Sequence, residues 1–361
     1  MISPYYRQID WEGLGPYDLQ RFEQKVFDHY RSKGFPYIYL TPTQKIDAFL
    51  KMKRMDYRNI LDGKNFRQTM HGLGLAWVYF PHAYEIRCNK MKTAMEAYLD
   101  DKILMSAIKK SMSHNHNITD NSVRKILKLH TGVQTVANFR PSTAGCIYEL
   151  FSGDGVVWDM SAGFGGRMLG AMTSNRLKKY IAVDPSTKTF DGLIQMKEDL
   201  KDLHDKEIEL YETGSELFTP DKESLDLCFT SPPYFNCERY SEDKGQSCIQ
   251  YDNKDAWLNE FMKETLDNCY WGLKPEGILM INIANVASYK TLCDDTVEMA
   301  LKCGFELIDT FGYTLSNINK AGFKIEPVYI FKKRSYIKNG SDIIKDCVTW
   351  NSVEDISDLF E

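Results

Sequence analysis

The run Thr230-Ser231-Pro232-Pro233-Tyr234 follows directly on Leu225-Asp226-Leu227-Cys228-Phe229, an apolar stretch that reads as a buried parallel strand. In a parallel sheet, chemistry collects at the carboxyl ends of the strands. Two consecutive prolines can neither continue a ladder nor enter a helix comfortably, so they stiffen a short loop and hold its carbonyls outward. A hydroxyl precedes the rigid pair and an aromatic ring follows it. That arrangement suits a planar base carrying an exocyclic amine: Ser231 and a loop carbonyl accept the two amine hydrogens while Tyr234 stacks on the ring. A proline pair that only stiffens a loop is the competing reading.

A second constellation lies upstream. Val156-Val157-Trp158-Asp159 reads as a short buried strand running into Met160-Ser161-Ala162-Gly163-Phe164-Gly165-Gly166-Arg167, after which Met168 to Met172 is helix-like. Glycines at 163, 165 and 166 let the backbone turn sharply and approach a ligand closely, and the N–H groups opening the helix attract a carboxylate or phosphate. The Gly-Phe-Gly-Gly spacing departs from the dinucleotide pattern. The next strand, Tyr180-Ile181-Ala182-Val183, ends in Asp184, where a carboxylate accepts both ribose hydroxyls of an adenosyl ligand, and Pro185 stops the strand.

Together these motifs resemble the S-adenosylmethionine-dependent amino-methyltransferases that act on DNA bases, over roughly residues 138–333. The Thr-Ser-Pro-Pro-Tyr form is most typical of the enzymes that methylate the exocyclic amine of cytosine, whereas adenine enzymes more often carry Asp or Asn at the position of Ser231. The resemblance implies S-adenosyl-L-methionine as cofactor, with Ser231, Pro232, Pro233 and Tyr234 as the catalytic loop. It implies that Asp159, Ala162, Gly163, Phe164 and Gly165 surround the methionine part of the cofactor and that Asp184 contacts the ribose. Phe139-Arg140-Pro141 is similar to the segment that closes over the methionyl end. Two departures bear on the cofactor site. Ser161 stands where an aromatic residue is common, and Thr213-Gly214-Ser215 replaces the usual acid that contacts the adenine, leaving Ser215 in its place with Glu212 and Glu216 as nearby substitutes.

The implied reaction is methyl transfer to a base flipped out of DNA, most typically at cytosine N4, without a metal or a covalent cysteine adduct. Adenine N6 of DNA and an RNA amine are the alternatives within this chemistry. Outside it stand a nucleic-acid-binding protein with a degenerate methyltransferase domain, and a nicotinamide oxidoreductase, which leaves Ser-Pro-Pro-Tyr unexplained.

These residues need a frame to position them. From Asn138 onward strands and helices alternate: Val156 to Asp159, Tyr180 to Val183, Glu207 to Tyr211, Leu225 to Phe229, Ile278 to Asn282, then a late pair around Leu307 to Tyr313 and Val328 to Phe331. The expected fold is α/β, a doubly wound, Rossmann-like methyltransferase sheet of seven strands with the late pair as an edge hairpin, behind a mainly helical amino-terminal domain. The expected boundaries are 1–137 for the amino-terminal domain, 138–334 for the catalytic domain and 335–361 for a tail that packs as an extra helix or strand. That tail is short, where many relatives carry a long recognition domain.

Within 1–137, helices are expected over Tyr17 to Lys33, Thr41 to about Met55 and Met91 to Ser111, with a short strand at Phe35 to Leu40. Ser122 to Leu129, a turn at Gly132 and a second helix from Val133 read either as a helix-turn-helix or as two core helices. His71 to Tyr84 carries no clear pattern. The polar stretch Phe235 to Trp257 is long for a connection and is a candidate lid or DNA-contacting loop.

The 361 residues carry a net charge of −5, which alone argues against a polyanionic partner. Its distribution reverses the argument. Residues 1–150 hold 22 Lys plus Arg against 14 Asp plus Glu, and residues 151–361 hold 23 against 36. The basic half reads as a face toward nucleic acid or as a solvated helical surface. Nine cysteines without Cys-x-x-Cys pairs indicate neither a disulfide framework nor zinc, and His114-Asn115-His116 reads as a surface turn. With no transmembrane-length apolar run and no signal-peptide order at Met1 to Tyr6, the expected compartment is the cytoplasm, and the resemblance implies a prokaryotic or phage-infected cell.

Overall fold

The computed structural model describes residues 6–67, 69–114, 117–236, 238–239, 246–316 and 322–334. The amino-terminal part is helical: α1 (Pro16–Lys33), α2 (Pro42–Lys53), α3 (Leu73–Trp77), α4 (Ala94–Leu99), α5 (Asp101–His114) and α6 (Asp120–Lys128). Short strands stand between the helices: β1 (Tyr6–Arg7), β2 (Leu61–Asp62), β3 (Asn65–Phe66), β4 (Arg87–Cys88) and β5 (Asn117–Ile118). Helix α2 begins where Thr41 accepts the Gln44 N–H and Gln44 returns the bond to the Thr41 N–H, with Pro42 at the first position.

Three expectations for this part are corrected. The single helix over Met91 to Ser111 is two, because Asp100 takes an extended backbone (φ −82°, ψ 111°) between α4 and α5. Phe35 to Leu40 forms no strand. No helix follows Gly132: the chain runs extended from Val133, which bridges Lys92, and this removes the helix-turn-helix reading. Arg124, which a helix-turn-helix would turn toward phosphate, is buried and donates to the Pro36 carbonyl at 2.6 Å.

The remaining strands are β6 (Val156–Asp159), β7 (Lys179–Val183), β8 (Glu207–Tyr211), β9 (Leu225–Thr230), β10 (Glu238–Arg239), β11 (Leu273–Asn282), β12 (Phe305–Ser316) and β13 (Phe323–Lys333). The main sheet runs β2-β3-β12-β13-β11-β9-β6-β7-β8. The run β11-β9-β6-β7-β8 is parallel, and β13 is antiparallel to both of its neighbours. Seven of the nine strands are the expected doubly wound set with its edge hairpin. The other two, β2 and β3, come from the amino-terminal part and extend the sheet beyond β12.

Both faces of the central parallel strands β6, β7 and β9 are covered, which matches their largely apolar sequences. On one face α7 (Pro141–Phe151), α8 (Gly166–Thr173) and α9 (Thr187–Leu200) bury Ile147, Met168, Leu169, Leu193 and Met196. On the other, the turns α10 (Ser247–Gln250) and α11 (Lys254–Ala256) lead through a π-helical turn (Trp257–Met262) into α12 (Lys263–Gly272). Helix α13 (Leu292–Lys302) completes that layer, which buries Leu266, Cys269 and Leu292. The first core also takes in Phe49, Met52, Tyr57, Phe66 and Phe80, so it draws on residues from both sides of position 137. A third core, around Val26, Tyr30, Leu104 and Leu127, belongs to α1, α5 and α6.

Among the described residues no helix is long and apolar enough to cross a membrane. The tail from Ser335, Cys237 and residues 240–245 of the candidate lid, and Asn115-His116 lie outside the described residues.

Candidate active site

Strand order reverses between β6 and β9: from β6 the chain proceeds outward through β7 and β8, and on the other side through β9 and β11. Ligands bind at such a switch point, beyond the carboxyl ends of the two strands. Both sequence motifs emerge there, the glycine turn from β6 and the proline loop from β9. They are joined directly, since the Ser161 hydroxyl and the Thr230 hydroxyl lie 2.7 Å apart. The serine that departs from the resemblance therefore ties one loop to the other.

The glycine turn needs its glycines. Gly163 and Gly165 have φ of 55° and 68°, the left-handed region that penalises a side chain. A Cβ at Gly166 would run into the Phe139 carbonyl oxygen and Asn138 Oδ1, so glycine is what lets the segment before α7 lie on the turn. Asn138 Nδ2 donates to the Phe164 carbonyl at 2.8 Å and completes that contact.

Asp159 is fully buried, with Oδ2 accepting from Arg167 Nε at 2.8 Å and from the Tyr180 hydroxyl at 2.6 Å. Arg167 also donates to the Ser161 carbonyl. This carboxylate braces the turn from beneath. The Ala162 N–H is held by the Val183 carbonyl, which docks the turn on β7. Phe164 points into the core, its ring centroid 5.2 Å from Trp77 and 5.7 Å from Phe80. Next to open space stands Gly163, where a Cβ would meet nothing nearer than the Ser161 carbonyl oxygen at 3.8 Å.

Asp184 ends β7, with Oδ2 accepting from the Gly163 N–H at 2.9 Å and Oδ1 from the Ser186 N–H at 3.0 Å. Burial pushes its carboxyl up to about 6 against the opposing pull of those two N–H groups. Ser215 is also buried, but its hydroxyl faces Thr265 of α12 at 2.7 Å, and Glu212 accepts from Thr187. Of the three residues after β8, Glu216 keeps a carboxylate oxygen, Oε2, buried without a hydrogen-bond partner, and burial raises its pKa.

Before α7, Phe139 stacks on Tyr313 with ring centroids 4.6 Å apart and an interplanar angle of 19°. Arg140 is 8% exposed, donates through Nη1 to the Thr314 carbonyl at 3.3 Å, and leaves Nε without a partner. Pro141 opens the helix, and in its first turn the Ser142 and Thr143 hydroxyls are buried with no hydrogen-bond partner. Three orphaned donors thus gather at one helix amino terminus, where the N–H groups already favour an anion.

In the proline loop, the Phe235 N–H takes the Pro233 carbonyl at 2.9 Å, with Phe235 at φ 55°. Among the described residues none donates to the carbonyl of Pro232, which is buried. Ser231 Oγ lies 3.3 Å from Asn282 Oδ1 and 3.4 Å from the Tyr234 hydroxyl. That hydroxyl in turn reaches Glu326 Oε2 at 3.2 Å. Asn282, Tyr313 and Glu326 were not picked out from the sequence. The one usable signal was Asn282, a polar residue closing the apolar strand Ile278-Leu279-Met280-Ile281 at its carboxyl end.

No protein-family model matches the chain, and no curated protein matches it. Solved structures resemble part of it. One is the N-methyltransferase NodS from Bradyrhizobium japonicum, 11% identical over 53% of this chain and 94% of that chain, with a TM-score of 0.37. Another is a SAM-dependent O-methyltransferase from Thermotoga maritima, 10% identical over 55% of this chain and 66% of that one, with a TM-score of 0.37. A third, the [4+2]-cyclase SpnF, is 11% identical over 48% of this chain at a TM-score of 0.36, and this chain spans 59% of the cyclase's length.

Proposed function

We propose that this chain transfers a methyl group from S-adenosyl-L-methionine to the exocyclic amine of a base flipped out of DNA, at cytosine N4. The observation that carries the reading is the junction at the switch point. A glycine turn and a Ser-Pro-Pro-Tyr loop leave neighbouring strands and are linked through Ser161 and Thr230. The residues present fit the cofactor. Arg140 Nε and the Ser142 and Thr143 hydroxyls are buried donors lacking an acceptor, which suits a carboxylate; Asp184 suits a ribose diol, and Gly163 borders open space.

When bound, the cofactor supplies a methyl group already activated on a sulfonium. What remains for the protein is alignment and exclusion of water. An exocyclic amine is a weak nucleophile because its lone pair is delocalised into the ring. Ser231 and the Pro232 carbonyl accept its two hydrogens and hold the nitrogen in a more pyramidal, reactive geometry. Tyr234 replaces the stacking lost when the base leaves the duplex.

The test is to incubate the purified chain with labelled S-adenosylmethionine and unmodified DNA, digest the product to nucleosides and identify the methylated base by mass spectrometry. N4-methylcytosine is expected. N6-methyladenine would move the target, label in RNA alone would move the substrate, and no transfer to either would overturn the proposal.

A further inference from the structure

We infer that Glu326, on the antiparallel strand β13, is the positioning residue that makes the proline loop an acceptor of amine hydrogens and so selects an amino over a keto group on the target base. This deepens the function proposed above and rests on it. The Tyr234 hydroxyl has one proton and, among the described residues, meets Glu326 Oε2 at 3.2 Å and both Oδ1 and the carbonyl of Asn282 at 3.3 Å. A carboxylate is the strongest acceptor of the three. Glu326 is 8% exposed, and its other oxygen is held by Lys324 Nζ at 2.6 Å, which fixes the group on its strand.

With the tyrosine proton committed to Glu326, the Tyr234 hydroxyl donates nothing to Ser231, and Asn282 Oδ1 keeps a lone pair for the Ser231 proton. The amide cannot usefully flip, because Asn282 Nδ2 donates to the Pro327 carbonyl at 3.0 Å. The Ser231 proton therefore goes to Asn282 Oδ1, and the hydroxyl is left to offer lone pairs. An amino group donates to those lone pairs. A keto oxygen would meet them lone pair to lone pair, and a site built for donors rejects a ligand that lacks them.

The test compares Glu326→Gln with the parent chain in steady-state methylation, after cofactor affinity has been measured by calorimetric titration. A glutamine amide donates to the tyrosine oxygen and turns the Tyr234 proton back toward Asn282 and Ser231. The expected result is a kcat lowered by about tenfold or more with cofactor affinity unchanged. Glu326→Asp, which keeps the charge, should recover part of the rate. In a Tyr234→Phe background, Glu326→Gln should then change kcat by less than about twofold, since the link is gone. A Glu326→Gln chain with parental kcat, or one that loses the same factor with and without the tyrosine hydroxyl, overturns this inference and leaves methyl transfer standing. A parent chain that methylates neither DNA nor RNA overturns both.

Discussion

At the scale of single residues, Asp184 carries the clearest pH signature. Burial raises its carboxyl to about 6, so the folded chain favours the protonated form more than the unfolded chain does. The stability this group contributes is full below the ordinary aspartate value near 4 and is lost as pH rises through about 6. Cofactor binding should run the other way, because ribose hydroxyls donate best to the ionised form. Affinity for S-adenosylmethionine is therefore expected to fall as pH drops below about 6. Asp184→Asn should weaken binding at neutral pH by about tenfold and flatten that dependence; titrations across the range decide it, and an unchanged slope would remove the ribose assignment. Ser231→Ala and Tyr234→Ala act elsewhere. Each should cut turnover by about 10²-fold while cofactor affinity stays the same, so single-turnover rates beside binding constants separate the two sites.

At the scale of elements, the contact between α8 and the segment leading into α7 is the joint that shapes the proposed cofactor site. Gly166 allows it, since any side chain there would strike the Phe139 carbonyl and Asn138. Gly166→Ala should displace residues 138–140, cost about 1–3 kcal/mol and lower cofactor affinity by about tenfold or more. Thermal unfolding with and without cofactor measures both effects; a variant of parental stability and affinity would show that the segment does not depend on that contact. This joint was half legible. Strands β6, β7 and β9 are short, largely apolar runs followed by an acid, a glycine turn or a proline pair, so their positions and the loops they launch could be read directly from residue types. The helix break at Asp100 could not be read, because the apolar spacing continues across it and only Asp100's bonds to the Lys102 and Ile103 N–H groups reset the chain. Nor could the missing helix after Gly132, where tertiary pairing of Val133 with Lys92 overrides local pattern. Glu326 gave no signal at all: in Phe323-Lys324-Ile325-Glu326, at the start of β13, polar and apolar residues alternate, and the acid looks like any solvent-facing position.

At the scale of the whole molecule, the amino-terminal part is built into the main sheet. Strands β2 and β3 extend its edge, and Phe49, Phe66 and Phe80 lie in the same core as Leu169 and Met196. A fragment beginning at Asn138 would expose those packing faces, so it is expected to be aggregation-prone or to lack near-ultraviolet circular dichroism. A soluble, cooperatively unfolding fragment would contradict that. The same part carries the basic surplus, 22 cations against 14 anions over residues 1–150, and one piece of it pairs with a strand near the proline loop in the chain. Strand β4 pairs with β10, so Arg87–Cys88 lie against Glu238–Arg239, four and five residues beyond Tyr234. Exposed Lys90 stands at the turn leaving β4. If nucleic acid enters over this ladder, Lys90 meets phosphate, and each such contact releases counterions on binding. Lys90→Glu should weaken binding to duplexes of different sequence about equally and reduce the slope of log affinity against log salt by about one. Anisotropy titrations over a salt series measure that slope. An unaltered slope would make this lysine part of a solvated face and move the phosphate track elsewhere on the basic half.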